Sequence, residues 1–325
     1  MKLFVTGGSG FIGRSVVSVA SSRGHDVVRL VRRSVPETGA RVRDAVGDIR
    51  YPEPWFASLA GADAVIHLAA AVGGDFHTQF SATVLGTETL LEAMAAAGVR
   101  RLVHVSSFSV YDYRAMAVGS TLDETSPLEA RPLDRDAYTQ TKLAQERLVL
   151  EFAQTGAEVT VVRPGAVYGP DHLWNAGLAI VLPGELGVAY APLARQKLTY
   201  VDNCAEAIVL AAERSEAIGA TINLVDDDLP TQRGWARAMR SAGLDVPRAV
   251  PVPYRVASAA AELLAFANRR LVGGRAKFPG VVVPATLDAQ YRPLRYPNDV
   301  AKRVLGWQPR WTLDEALLRV VKERR

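Results

Sequence analysis

A glycine-rich turn stands between the first apolar run and the first helical run of the chain. Leu3-Phe4-Val5 leads through Thr6-Gly7-Gly8-Ser9-Gly10-Phe11-Ile12-Gly13 into a helical pattern that ends at Arg23-Gly24. Glycine at Gly7, Gly10 and Gly13 permits a tight turn, close approach of backbone to a pyrophosphate and close packing of helix on strand. A helix that opens at such a turn presents free backbone N–H groups to an anion. The strand, turn and helix together predict a dinucleotide site, with Gly7, Gly10, Phe11, Ile12 and Gly13 against the phosphates. An ordinary glycine-rich turn is the plainer alternative.

The elements that follow favour the first reading. Apolar, β-rich runs at Val27–Val31, Val42–Val46, Ala64–Leu68, Leu102–Val105 and Val159–Val162 alternate with helical patterns at Thr87–Ala97 and Ala137–Gln154. Strands that are apolar throughout and separated by helices predict a parallel sheet covered on both faces. The expected fold is therefore doubly wound α/β of the Rossmann kind, with ligands at the carboxyl ends of the strands. After Arg163-Pro164, Pro, Gly and Trp become frequent and the alternation loosens. The expected division is a dinucleotide-binding domain over residues 1–165, rejoined by 198–225, and a substrate-binding region over 166–197 and 226–325.

Composition narrows the partners. The chain has 325 residues, 49% hydrophobic and 22% charged, with a net charge of +4, which is a globular and not a disordered composition. The arginines occur in short clusters such as Arg32-Arg33, Arg100-Arg101 and Arg269-Arg270. No long basic run interleaved with aromatics is present, so solvated surface is favoured over nucleic-acid binding. The single Cys204 excludes an intrachain disulfide and fits a reducing compartment. The five histidines lack metal-ligand spacing, so no metal site is expected. With no leader pattern before the first strand, a cytoplasmic protein is expected. The Ala-rich stretch from Val256 to Ala267, broken by Glu262, is too short to span a bilayer. It reads as an amphipathic helix over a pocket, with surface membrane contact as the minority alternative.

The cofactor form turns on the end of the second strand. NAD sites place an acid there for the ribose hydroxyls. Here Leu30-Val31-Arg32-Arg33-Ser34 offers two guanidiniums and no carboxylate. Arg32 and Arg33 can hold a phosphate by charge-assisted bonds, which favours NADP(H), with NAD(H) possible and two solvated arginines as the alternative.

Tyr138 and Lys142 are one helical turn apart on one face. A phenol with a reference pKa near 10 shuttles protons poorly at neutral pH. A nearby ammonium is expected to lower it. Ser107, at the end of the fifth strand, can hydrogen-bond a substrate oxygen. These three predict hydride transfer by the cofactor with proton management by the protein. A buried tyrosine and a solvated lysine on one helix is the alternative.

These segments jointly resemble the extended short-chain dehydrogenase/reductase superfamily, which includes nucleotide-sugar epimerases and dehydratases, over almost the whole chain. Thr6–Gly13 resembles its cofactor turn. Gly47-Asp48-Ile49 resembles the adenine-contacting segment, implicating Asp48 and Ile49. His67-Leu68-Ala69-Ala70 resembles the segment along the middle of the cofactor, implicating Leu68, Ala69 and Ala70. Ser106-Ser107-Phe108-Ser109-Val110-Tyr111 resembles the strand-five motif and selects Ser107 over Ser106. Arg163-Pro164-Gly165-Ala166-Val167-Tyr168-Gly169-Pro170 resembles the passage into the substrate domain, implicating Pro164 and Val167. Leu305-Gly306-Trp307-Gln308-Pro309 resembles the C-terminal signature. The resemblance assigns catalysis to Ser107, Tyr138 and Lys142 and implies a homodimer through the helices near Thr87–Ala97 and Ala137–Gln154.

Val31-Arg32-Arg33 and Tyr200-Val201-Asp202-Asn203 resemble the dihydroflavonol-reductase-like and hydroxysteroid-dehydrogenase-like branch. Gln196-Lys197-Leu198 stands where nucleotide-sugar enzymes carry an Arg-Asp-Phe run, with Arg195 adjacent as a substitute, and Thr83 stands where many members have Asn. The favoured expectation is an NADP(H)-dependent oxidoreductase acting on a secondary alcohol or ketone of a fairly apolar, ring-bearing small molecule. Trp174, Tyr190, Tyr254, Phe278 and the 256–267 helix are candidates for its pocket. The alternatives are a nucleotide-sugar isomerase or lyase with tightly bound NAD, and a noncatalytic cofactor-sensing regulator.

Overall fold

The computed structural model describes residues 1–34, 39–173, 180–181, 187–246, 248–273 and 283–324. The elements, in chain order, begin with β1 (Lys2–Thr6), α1 (Phe11–Ser22), β2 (Asp26–Val31), β3 (Val42–Val46), α2 (Phe56–Leu59), β4 (Ala64–His67), α3 (Phe76–Phe80) and α4 (Gly86–Ala96). There follow β5 (Arg101–Val105), α5 (Ala137–Gln154), β6 (Glu158–Pro164), β7 (Ala166–Tyr168), β8 (Ile180–Val181), β9 (Gly187–Tyr190), β10 (Leu198–Tyr200), α6 (Val201–Glu213) and β11 (Thr221–Leu224). The last are α7 (Gln232–Ser241), β12 (Ala249–Val252), α8 (Tyr254–Val272), α9 (Pro284–Tyr291), α10 (Asp299–Leu305) and α11 (Leu313–Glu323).

Seven strands form one parallel sheet in the order β11-β6-β5-β4-β1-β2-β3. Both faces are covered, which is why β1, β4 and β5 are buried without alternation. On one face α1, α6 and α10 bury Val16, Ala20, Ile208, Ala211 and Leu305 against Leu3, Val5 and Ile66. On the other, α2, α4 and α5 bury Leu59, Leu90, Met94 and Val149 against Phe4, Val28 and Val65. Burying each of the larger side chains among these contributes about 1.5–3 kcal/mol. The chain order reverses between β1 and β4, and that crevice at the carboxyl ends of the strands is where ligands bind in open α/β sheets.

Of the segment 198–225 expected to rejoin the dinucleotide-binding domain, only part joins the main sheet. β10 pairs with β7 as a separate two-stranded parallel ribbon, and only β11 joins the main sheet, beside β6. A further sheet, β12-β9-β8, and the helices α7, α8, α9 and α11 stand over the carboxyl edge. Tyr168, Tyr200, Trp235, Met239 and Leu317 form a core shared by β7, β10, α7 and α11. Among the described residues, no helix is long and apolar enough to cross a membrane.

Candidate active site

The glycines of the first turn are needed by contact. Gly7 has φ +70°, and a Cβ there would lie 2.8 Å from the Ala69 nitrogen. A Cβ at Gly13 would lie 2.1 Å from the Gly7 carbonyl oxygen, nearer than any carbon side chain can stand. Gly10 N–H donates to that carbonyl at 2.9 Å and closes the turn. No side chain caps α1, so its first N–H groups are free for an anion. A cleft of about 980 Å³ opens over this end, and Gly7, Gly10, Phe11, Ile12 and Gly13 line it. Leu68, Ala70, Pro164, Val167, Tyr138 and Lys142 line the same cleft. The shape, the uncapped helix and the glycine cradle fit a dinucleotide.

Ser107 and Tyr138 are brought together at the inner end of the cleft. Ser107 follows β5, and Tyr138 lies in the first turn of α5, which Asp136 caps by accepting from Thr139 N–H at 2.7 Å. The Ser107 hydroxyl faces the Tyr138 phenol and favours its ionised form. The Ser106 hydroxyl is instead committed to Glu146, donating to its Oε2. Both Ser107 and Tyr138 also line a second cavity of about 350 Å³, bounded by Phe108, Tyr113, Lys197, Leu198 and Ala289.

Lys142 departs from its expected part. Its Nζ donates to the Val105 carbonyl at 2.8 Å and to Gln145 Oε1. Burial at 2% exposure pushes its pKa down to about 7, against a raising influence from Glu146. The Tyr138 phenol is pushed up from its ordinary value by burial, partly offset by the Ser107 hydroxyl. The expected acidification of the phenol by its ammonium neighbour is therefore corrected. Two turn-spaced side chains on one face need not touch, and here the lysine turns to the strand ends.

A polar network behind Lys142 escaped sequence reasoning. Gln145 Nε2 donates to the Ala69 carbonyl at 3.1 Å and to Thr87 Oγ1 at 2.8 Å. Thr87 Oγ1 donates to the Thr83 carbonyl at 2.6 Å. His67 lies between Thr6 Oγ1 at 2.6 Å and Thr87 Oγ1 at 2.8 Å. Since the Thr87 proton is already placed, the tautomer that serves every group carries its proton on His67 Nε2, with Thr6 donating to Nδ1. Burial, then the Lys142 charge, holds that imidazole neutral with a pKa of about 3. Lys142 is thus held through a chain of satisfied partners to β1 and β4. Thr83 stands in place of the usual Asn. Its Oγ1 accepts from Ala71 N–H at 2.9 Å and so pins the backbone beside the cleft, from the π-turn at Ser81–Leu85.

A second buried network supports the serine pair. Arg163 clamps Glu146 through Nη2 at 2.5 Å and Nε at 3.2 Å and donates to Tyr111 Oη at 2.9 Å. Tyr111 donates in turn to Asn223 Oδ1 at 2.7 Å. These bonds tie α5, β6, β11 and the loop that follows β5 together.

Other expected residues lie elsewhere. Arg32 and Arg33 are exposed just past β2, away from the cleft lining. Asp48 is held by Arg50 at 2.7 Å, with its pKa lowered first by that hydrogen bond and slightly by Arg32. Ile49 packs on Gly86, where a Cβ would meet its Cγ2 at 2.7 Å. Ala69 acts through its backbone, beneath Gly7. Asp171 pairs with exposed Arg14 at 2.8 Å, and His172 stacks on Phe11 at 4.1 Å and lines the cleft. Tyr190 and Tyr254 pack with Tyr291 and α8 in a separate core and not in the pocket, because α9 lies between. Trp174 and Phe278 fall outside the described residues. Arg195 does not substitute for a phosphate-gripping arginine: it is exposed, and its Nη1 donates to the Leu229 carbonyl at 2.9 Å. Among the described residues, no cluster of His, Cys, Asp or Glu could hold a metal.

The doubly wound sheet with its glycine cradle is the fold of the extended short-chain dehydrogenases/reductases, enzymes that use NAD(P). The chain belongs to the NAD dependent epimerase/dehydratase family, whose model matches residues 3–224. It is 32% identical to a 4-hydroxy-2-methyl-3-oxo-4-farnesyl-3,4-dihydroquinoline-1-oxide ketoreductase of Stigmatella aurantiaca, over 98% of this chain and 95% of the relative. It is 30% identical to a 3 beta-hydroxysteroid dehydrogenase/Delta 5-->4-isomerase of Mycobacterium tuberculosis, over 97% and 88%. Among solved structures it is similar to MoeE5 in complex with UDP-glucose and NAD, with 27% identity, a TM-score of 0.71 and coverage of 100% and 99%. The protein is accordingly an NAD(P)-dependent enzyme of the extended short-chain type, which displaces the noncatalytic sensor.

Proposed function

We propose that this enzyme is an NADP(H)-dependent oxidoreductase that interconverts a secondary alcohol and a ketone on a fairly apolar, ring-bearing small molecule. One observation carries the reading: Ser107 and Tyr138 line both the large cleft and the smaller pocket. A molecule in the pocket can present its oxygen to both hydroxyls there. A dinucleotide held in the large cleft would supply or accept the hydride. In reduction, Tyr138 gives its proton to the substrate oxygen while Ser107 holds that oxygen in place. In oxidation, Tyr138 takes the proton back. Lys142 is the residue that would hold the cofactor from the side of β5.

The pocket walls of Phe108, Tyr113, Leu198 and Ala289 suit an apolar ring, as do the ring substrates in the names of the ketoreductase and steroid dehydrogenase relatives. NADP(H) is supported by Arg32 and Arg33, which pair with no carboxylate among the described residues and follow a strand end without an acid. The nucleotide-sugar reading takes support from the MoeE5 likeness. Against it, Arg195 is turned away from the pocket. A homodimer through α4 and α5 belongs to the same proposal, supported by exposed Leu85 and Leu150 beside them.

The test has two arms. Purified protein is denatured and the released cofactor weighed by mass spectrometry, and consumption of added NADPH is followed with cyclic ketones. Ketone-dependent consumption of added NADPH supports the oxidoreductase. Stoichiometric bound NAD with no net turnover of added cofactor would overturn it in favour of an isomerase or lyase.

A further inference from the structure

The small pocket contains more cationic chemistry than proton transfer to a ketone requires. Lys197, just before β10, lines the pocket. Its Nζ donates to the Ala289 carbonyl at 2.8 Å and stands 4.9 Å over the Tyr113 ring and 5.8 Å from that of Tyr296. An ammonium has three donors, so this bond leaves two for a ligand. No Asp or Glu forms an ion pair with Lys197 among the described residues. Two further groups of the same lining wait for an acceptor. Arg135 is 7% exposed and its Nε has no partner, although its Nη1 is neutralised by Glu129 at 2.9 Å. The Ser109 hydroxyl is buried without a partner.

We infer that Lys197, with Ser109 and Arg135 Nε beside it, recognises a carboxylate carried by the substrate near its reacting carbon. The inference rests on the reading of this pocket as the substrate site and adds the class of substrate it takes: a ring alcohol or ketone that bears an acid. One uncompensated ammonium beside an already neutralised guanidinium matches a single negative charge. Asp136 lines the pocket too, but its carboxylate caps α5 through Thr139 N–H. The cavity holds only about 350 Å³, which keeps the acid and the reacting carbon a few bonds apart.

The electrostatics agree. Burial, then Arg135, pushes Lys197 down to about 7. Tyr113 and Tyr296 beside it are pushed up by burial and stay neutral. An arriving carboxylate supplies the missing counter-charge and draws a proton onto the amine.

Calorimetric titration of the cofactor-loaded protein with cyclohexanecarboxylate and with its methyl ester tests this. The expected preference for the acid is about tenfold or more, the value of a hydrogen bond to a charged partner. Above neutral pH, binding of the acid should take up protons from the buffer. Lys197→Met should abolish the preference and the uptake, and Lys197→Arg should retain the preference. Equal affinities, no binding of the acid, or a preference that survives in Lys197→Met overturns the assignment. Failure of the oxidoreductase reading looks different: the binding preference stays and no alcohol or ketone drives cofactor turnover.

Discussion

Replacing Lys142 by Met isolates the electrostatic state of the candidate site. In the folded protein Lys142 is held near pKa 7, against an ordinary 10.5. Below about pH 7 both folded and unfolded chains carry the proton, and the folded state bears the full cost of burying the charge. Between the two values the unfolded chain binds the extra proton, so stability rises with pH, at about 1.4 kcal/mol per pH unit for one group. The whole interval amounts to about 5 kcal/mol, and the part from about pH 7 to about pH 9 to about 2 kcal/mol. Methionine has similar length and no charge. It leaves the Val105 carbonyl and Gln145 Oε1 without their donor, at about 1–3 kcal/mol each, but that loss does not vary with pH. The assay is urea unfolding of both proteins across this range. Wild type should gain about 2 kcal/mol more than Lys142→Met on going from neutral to alkaline pH. Lys197 titrates alike in both and cancels. Parallel stability curves would refute the reasoning.

Three further outcomes are expected. Tyr138→Phe should bind cofactor as wild type does and lose about 10²–10⁴-fold in kcat; full activity in steady-state kinetics would remove the acid role. Arg32→Ala with Arg33→Ala should weaken NADPH binding by about 10–100-fold and leave NADH nearly unchanged; fluorescence titration with equal losses for both would remove the phosphate assignment. Gly13→Ala places a carbon 2.1 Å from the Gly7 carbonyl, so the turn must open; cofactor affinity should be lost, and calorimetry showing wild-type affinity would refute the tight-cradle account.

Local patterns were readable where the physics is local. The turn at Gly7–Gly13 is readable because glycine spacing, strand end and helix start are adjacent in the chain. Tyr138 and Lys142 are readable as a pair because one helical turn separates them. The direction each side chain takes was not readable. Lys142 turns to the Val105 carbonyl because the end of β5 lies against α5 there, a contact between segments far apart in the chain. His67 ends an otherwise apolar strand, and its hydrogen-bond partners Thr6 and Thr87 come from two other elements.

By itself, the order of residues determined the layered α/β plan and the place of the dinucleotide, since hydrophobic period and glycine conformational freedom act over a few residues. The pocket was decided only by tertiary structure. Arg135 precedes α5, Lys197 precedes β10 and Ala289 belongs to α9, so no spacing rule relates them. The aromatic residues favoured from sequence, Tyr190 and Tyr254, went to a separate core instead, because burial rewards any close-packed apolar contact and does not distinguish a pocket wall from an interior. Which cation lost its counter-charge depended on where three distant segments came to rest.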